Sequence, residues 1–113
     1  MFRWIFCAFL LFAAAAGADT DNRIPFHKSV DLQVGQSMIV HGYRGECGKR
    51  PAKVDKNRTR DTKLGVLSIG KWGVTKSRRC GGWTPAVEII FTARRKGRET
   101  IEVAGENIKV RVR

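Results

Sequence analysis

The chain has 113 residues and a strongly basic composition, with 22 Lys and Arg against 10 Asp and Glu for a net charge of +12. A chain of this length supports one domain with a modest core, which a disulfide can staple. The charge predicts attraction to polyanions, among them nucleic acid, anionic lipid head groups, lipopolysaccharide, acidic polysaccharide or an acidic protein surface.

The first 18 residues read as an export signal. Arg3 gives a positive start, residues 4–16 are an almost unbroken apolar run, and Ala16-Gly17-Ala18 offers small residues for cleavage before Asp19. The run is short of the roughly 20 apolar residues that a spanning helix needs. An uncleaved anchor is the alternative. Cleavage after Ala18 gives a secreted or periplasmic protein with no transmembrane segment. It consists of a loose tail at 19–22 and one domain over 23–113, with 21 basic and 10 acidic residues and a net charge of +11. Cys7 leaves with the signal, so Cys47 and Cys80 remain. An even count in an oxidising compartment favours a disulfide between them. A metal or redox pair is the rival reading, but the two are far apart in sequence and lack a nearby histidine pair.

Past the signal, the chain reads as a string of short strands. Val30, Leu32 and Val34 alternate with Asp31 and Gln33, Gly35-Gln36 turns the chain, and residues 37–41 follow as a second strand. Residues 49–63 hold seven basic side chains (Lys49, Arg50, Lys53, Lys56, Arg58, Arg60 and Lys63) and no apolar periodicity, as in a solvated loop. Asn57-Arg58-Thr59 within it fits a glycosylation sequon, which has meaning only in a eukaryotic secretory pathway. Residues 64–69 and 72–75 are two further short strands. Lys76, Arg78 and Arg79 then form a second basic group immediately before Cys80.

The last third carries the clearest alternation. Val87, Ile89, Phe91 and Ala93 share one face, Ile101 and Val103 another, and Ile108, Val110 and Val112 alternate with Lys109, Arg111 and Arg113. Short connections at 95–97 and 104–106 make these three runs a β-meander, with Arg94, Arg95, Lys96 and Arg98 as a third basic cluster around the first turn. About seven short strands, glycine-rich turns and no amphipathic helix predict an all-β, immunoglobulin-like β-sandwich with one disulfide.

The stretch from Gly81-Gly82 through Phe91-Thr92-Ala93-Arg94-Arg95-Lys96-Gly97 to Thr100-Ile101-Glu102-Val103 resembles the second half of small bacterial immunoglobulin-like domains. Among these it is most similar to the chagasin-type inhibitors of cysteine proteases. Leu32-Gln33-Val34-Gly35-Gln36 resembles the way such domains open. In that family three loops at one end of the sandwich plug the protease cleft, and Gly81-Gly82 would occupy the loop built on paired glycines. The Asn-Pro-Thr-Thr-Gly loop is replaced here by Gly42-Tyr43-Arg44-Gly45-Glu46-Cys47, and the Arg-Pro-Trp loop is missing. The resemblance therefore supports the fold more than inhibition.

The residues give no catalytic constellation. His27 and His41 are dispersed, with no nucleophile and orienting carboxylate suggested nearby, and no metal or cofactor set stands out. The expectation is a non-enzymatic binding module. Its basic surface of Lys53, Lys56, Arg58, Arg60, Arg78 and Arg79 would engage an anionic envelope polymer or an acidic protein. Nucleic acid is the least natural partner outside the cytoplasm. Trp72, beside Gly70 and Gly73, reads as a plug for one end of the sandwich; Trp83 reads equally as a plug or as a loop anchor for a partner. The second reading is a proteinaceous inhibitor of a hydrolase, a protease or a lysozyme-like enzyme, acting through Gly81, Gly82 and Trp83.

Overall fold

In a computed structural model, residues 22–51 and 59–113 are described. The export-signal reading at 1–18, the tail at 19–21, and Lys53, Lys56, Asn57 and Arg58 lie outside the described residues. No helix among the described residues is long and apolar enough to cross a membrane.

The fold of the described residues is all-β, with seven strands: β1 (Ser29–Leu32), β2 (Ser37–Arg44), β3 (Arg60–Asp61), β4 (Gly65–Ser77), β5 (Gly82–Ala93), β6 (Gly97–Val103) and β7 (Glu106–Val112). They form two sheets, one in the order β1-β7-β6 and one in the order β2-β5-β4-β3. All neighbours are antiparallel except β1, which lies parallel to β7. The inward positions of the alternating runs meet between the sheets. Val30, Leu32, Ile101, Val103, Ile108, Val110 and Val112 pack against Val40, Leu64, Leu67, Ile89, Phe91 and Ala93. Each large side chain buried there contributes about 1.5–3 kcal/mol of transfer free energy. The sandwich and the disulfide are as the sequence predicts.

Several local expectations are corrected. The runs at 64–69 and 72–75 are one strand, β4, broken in register where Gly70 and Lys71 together oppose Glu88. The backbone amide of Lys71 donates to Glu88 Oε1 at 2.9 Å, which secures the bulge. The seventh strand is instead β3, inside the stretch expected to be loop throughout. Val34 does not continue β1 inward; it is 46% exposed, on the turn in which Gln36 N donates to Gln33 O.

The last three runs are not a meander. Leu64 O accepts the amides of both Arg94 and Arg95, at 2.8 and 2.9 Å, and this turns the chain out of one sheet and into the other. Glu99 in β6 locks the same corner. Its carboxylate accepts from Thr62 Oγ1, Lys63 N and Leu64 N at 2.7–3.1 Å. β6 and β7 are then joined by Ala104-Gly105, with φ of 52° and 84°. Positive φ at both central residues is the type I′ geometry that matches strand twist.

β2 carries a second irregularity, between Ile39 and His41, flanking β5 from the other side. Bulges bend a strand and sharpen its twist. Beyond them the buried side of β5 changes. Val87, Ile89, Phe91 and Ala93 are buried on one face, whereas Ala86 and Thr84 are buried on the other. This second interior is small and close. Ile24, Thr75, Ser77, Thr84 and Ala86 fill it, and a Cβ on Gly42 would meet Thr75 Cβ at 3.1 Å and Ile24 Cγ2 at 3.2 Å. The segment before β1 closes it. Ile24 N donates to Val74 O, Val74 N to Asn22 O, and His27 N to Val40 O, so residues 22–27 run from the β4 edge to the β2 edge.

The Cys47–Cys80 disulfide, with 5.4 Å between Cα atoms, ties the loop after β2 to the β4–β5 turn. Gly48 N donating to Thr84 Oγ1 at 2.9 Å and Cys80 N donating to Ser77 Oγ at 3.2 Å seat both partners against the second interior. Replacing both cysteines by alanine should cost about 3–4 kcal/mol by loop entropy. The loss is read as a lower urea midpoint of the double variant under non-reducing conditions.

Candidate binding surface at the disulfide end

The basic side chains segregate along the strands. Lys76, Arg78 and Arg79 flank the β4–β5 turn beside the disulfide, whereas Arg94, Arg95, Lys96 and Arg98 cluster where β5 leaves its sheet. The twelve residues of β5 lie between them, which at about 3.3 Å per residue is roughly 35–40 Å. The second and third clusters therefore do not share a face. Arg60 also stands apart from Arg78 and Arg79. It pairs with Leu67 near the other end of β4, and its Nη2 donates to Glu102 O at 3.0 Å. Of the six basic residues expected to form one surface, the structure brings only Arg78 and Arg79 together; the described Arg60 is remote, and the other three lie outside the described residues.

Arg78 and Arg79 belong to a cleft of about 770 Å³ at the disulfide end. Among the described residues its cationic lining is Lys28, Arg44, Lys76, Arg78 and Arg79, and Glu106 is the single carboxylate. Strands β2 and β4, the β4–β5 turn and the segment before β1 supply the cations, and β7 supplies Glu106. The charges converge only because the sheet curls beyond the bulges. Lys28 and Arg44 were missed from sequence, since each is an isolated cation there. Gly45, directly after Arg44, is the signal that could have marked Arg44 as the final residue of β2.

Phe26 and His41 form the apolar side of the cleft, with ring centroids 4.5 Å apart and planes tilted by 43°. His41 Nδ1 is buried and has no hydrogen-bond partner among the described residues. Burial disfavours the charged imidazolium and holds the His41 pKa below its ordinary 6.5, and the nearby Glu106 carboxylate opposes that shift.

Trp72 and Trp83, the tryptophans among the described residues, lie on one face of the β4–β5 hairpin. Trp72 pairs with Val87 and Lys76 pairs with Trp83, so side-chain alternation puts Trp72, Val74, Lys76, Trp83 and Pro85 on the same side. This is the side whose continuation carries Ile89 and Phe91 into the main core. Trp72 is 43% exposed and Trp83 48% exposed. The expectation that Trp72 plugs the sandwich is thus corrected: its register partner Val87 is buried on the same side, but the Trp72 ring itself lies at the margin of that interior and stays exposed. Trp83 lies on strand β5, not on a loop; the turn itself holds Gly81, with φ of 74°. The guanidinium of Arg50 sits 4.7 Å from the Trp72 ring centre, and that of Arg23 sits 4.8 Å from Trp83. Such contacts contribute about 0.5–1 kcal/mol when exposed and hold each indole in place.

Among the described residues, no three His, Cys, Asp or Glu side chains gather where they could hold a metal ion. What the arrangement offers chemically is hydrogen-bond donors, positive potential and exposed aromatic surface. Comparison with protein families, with characterised proteins and with solved structures gives no match.

The His41 environment has a consequence for stability. The unfolded chain binds a proton at His41 more readily than the folded chain does, so folding stability rises with pH across the window below 6.5. The His41 contribution is fully present above that value and is lost as pH falls through the lowered folded pKa. Denaturant midpoints measured at pH 7.5 and 5.5 should fall on acidification, and His41→Gln should reduce the size of that fall.

Proposed function

We propose that this chain is an exported, non-enzymatic binding module that engages an anionic macromolecule at its disulfide-braced end. The observation that carries the reading is the cleft that, among the described residues, is lined by Lys28, Arg44, Lys76, Arg78 and Arg79 against one carboxylate, Glu106. Five cations focused in a concave surface raise the local concentration of an anionic partner and speed its encounter. The disulfide supports both parts of the proposal. It fits an oxidising compartment, and it fixes the turn bearing Arg78 and Arg79 so that little ordering is needed on binding.

A second reading draws on the same brace. Gly81 and Gly82, with φ of 74° and 156°, give the hairpin tip a tight, covalently fixed form suited to entering a hydrolase cleft. Inhibition by that route would depend on Gly81, Gly82 and Trp83 and would survive changes to the cleft charges.

Charge reversal separates the readings. Arg78→Glu with Arg79→Glu should reduce binding to an anionic polymer by at least about tenfold at low salt, as interfacial charge pairs of this kind contribute about 1.5 kcal/mol or more. The same reversal at Arg94 and Arg95, at the far end of the sheet, should have little effect. Raising the salt to about 0.5 M, where screening is short-ranged, should weaken the wild type steeply. Affinity that is insensitive to both salt and the Arg78/Arg79 reversal would contradict the proposal.

A further inference from the structure

Charge alone does not account for the tryptophan face. A polyanion cleft needs no aromatic surface, yet two half-exposed indoles stand on one side of the same hairpin, four residues apart along the strands. At about 3.3 Å per residue that is roughly 13 Å. Val74 and Pro85, both half-buried, fill the floor between them, and Lys76 stands in the row of Trp83 while also lining the basic cleft. Lys76 is thus the residue at which the aromatic face and the cleft adjoin.

The chemistry of this face selects among ligands. A wholly apolar partner would have to bury Lys76, Arg23 and Arg50, at a desolvation cost that its own surface could not offset. A purely ionic partner would use the cations and leave the indoles exposed. A carboxylate-bearing sugar uses both. The C–H face of its ring lies on the part of the indole left uncovered, and its carboxylate accepts hydrogen bonds from the adjacent guanidinium or from Lys76. Each indole already has a guanidinium within 5 Å of its centre, at 4.7 Å for Trp72 and 4.8 Å for Trp83. The separation of the indoles exceeds the width of one sugar ring, so an oligomer is needed to reach both. A nucleic acid strand would also stack on indoles, but the Cys47–Cys80 disulfide fits compartments outside the cytoplasm, where nucleic acid is not the prevalent polyanion.

We infer that the face bearing Trp72, Lys76 and Trp83 binds an acidic polysaccharide, a polymer of carboxylate-bearing sugars, with the indoles as stacking platforms and Arg23, Arg50 and Lys76 as carboxylate partners. This rests on the proposed binding function and names the class of its partner. The two indoles set direction along the hairpin, and the basic cleft beside Lys76 takes the polymer where it leaves the platform.

The test compares three probes of similar charge density on the full chain: oligogalacturonate, poly-glutamate and a single-stranded oligonucleotide. Oligogalacturonate is expected to bind most tightly and to change the indole fluorescence. Trp72→Ala and Trp83→Ala should each weaken it by about three- to tenfold, the usual range for one aromatic contact, and should leave poly-glutamate affinity unchanged. Should an alanine variant fail to fold, a fluorescence change in the wild-type protein with oligogalacturonate but not with poly-glutamate carries the same weight. Equal affinity for oligogalacturonate and poly-glutamate, or oligogalacturonate binding that ignores both tryptophans, overturns the inference while leaving the polyanion-binding function standing. Tighter binding of the oligonucleotide also overturns it in favour of a nucleic acid partner. Failure to bind any of the three overturns both.

Discussion

The amide of Lys71 donates to the Glu88 carboxylate where β4 takes in an extra residue, and β2 breaks register on the opposite flank of β5 at nearly the same level. Everything at the disulfide end depends on that pair of irregularities. With regular strands the sheet would continue flat, and the Val87-Ile89-Phe91 side would stay the inner side along its whole length. The bulges twist it, so Ala86, Thr84 and Thr75 become the interior instead. Gly42 and Gly73 are the residues that let this second interior close. A side chain on Gly42 would press on Thr75 and Ile24, and one on Gly73 would collide with Ile24 and the Asn22 carbonyl. The side of the hairpin released from core packing carries Trp83, with Trp72 at its margin.

The same geometry arranges the charge. A net charge of +12 spread evenly over a small domain would oppose folding by self-repulsion and confer no preference for where a partner binds. Here two groups of the described cations gather at opposite ends of a long sheet. At one end, Arg95 is held by the Lys63 carbonyl as a brace for the corner where the chain changes sheets, while Arg60 reaches across to the Glu102 carbonyl of β6 near the β6–β7 turn. At the other, Lys28, Arg44, Lys76, Arg78 and Arg79 face a shared cleft. The first group has structural work in the fold; the second is concentrated in a concavity, which makes it the stronger candidate for recognition.

Period-two alternation made the core legible in the sequence. Ile108, Val110 and Val112 are buried as their pattern implies, as are Ile101, Val103, Ile89 and Phe91. The disulfide followed from the cysteine count and spacing. The pairing of strands was not legible, because alternation tells which side of a strand is apolar and not which sheet it joins. Arg95-Lys96-Gly97 looks like a hairpin turn, and only the Leu64 carbonyl, distant in sequence, reveals a crossing between sheets. Gly70-Lys71-Trp72-Gly73 likewise has the composition of a turn, which hid the continuity of β4 and the exposure of Trp72. Of the candidate site, the Arg78-Arg79 pair was visible as a charge run next to a cysteine. Lys28 and Arg44 join it only through the curl of the sheet, which no local pattern announces.

The central claim is that recognition takes place at the disulfide end. Amide and indole resonances of the labelled protein, followed by NMR during titration with oligogalacturonate at low salt, test it most directly. The account predicts that shifts concentrate at Lys28, His41, Arg44, Lys76, Arg78 and Arg79 and at the indole N–H groups of Trp72 and Trp83, with Arg94, Arg95 and Arg98 nearly still. Shifts centred on Arg94, Arg95 and Arg98, or spread evenly over every basic residue, would contradict it.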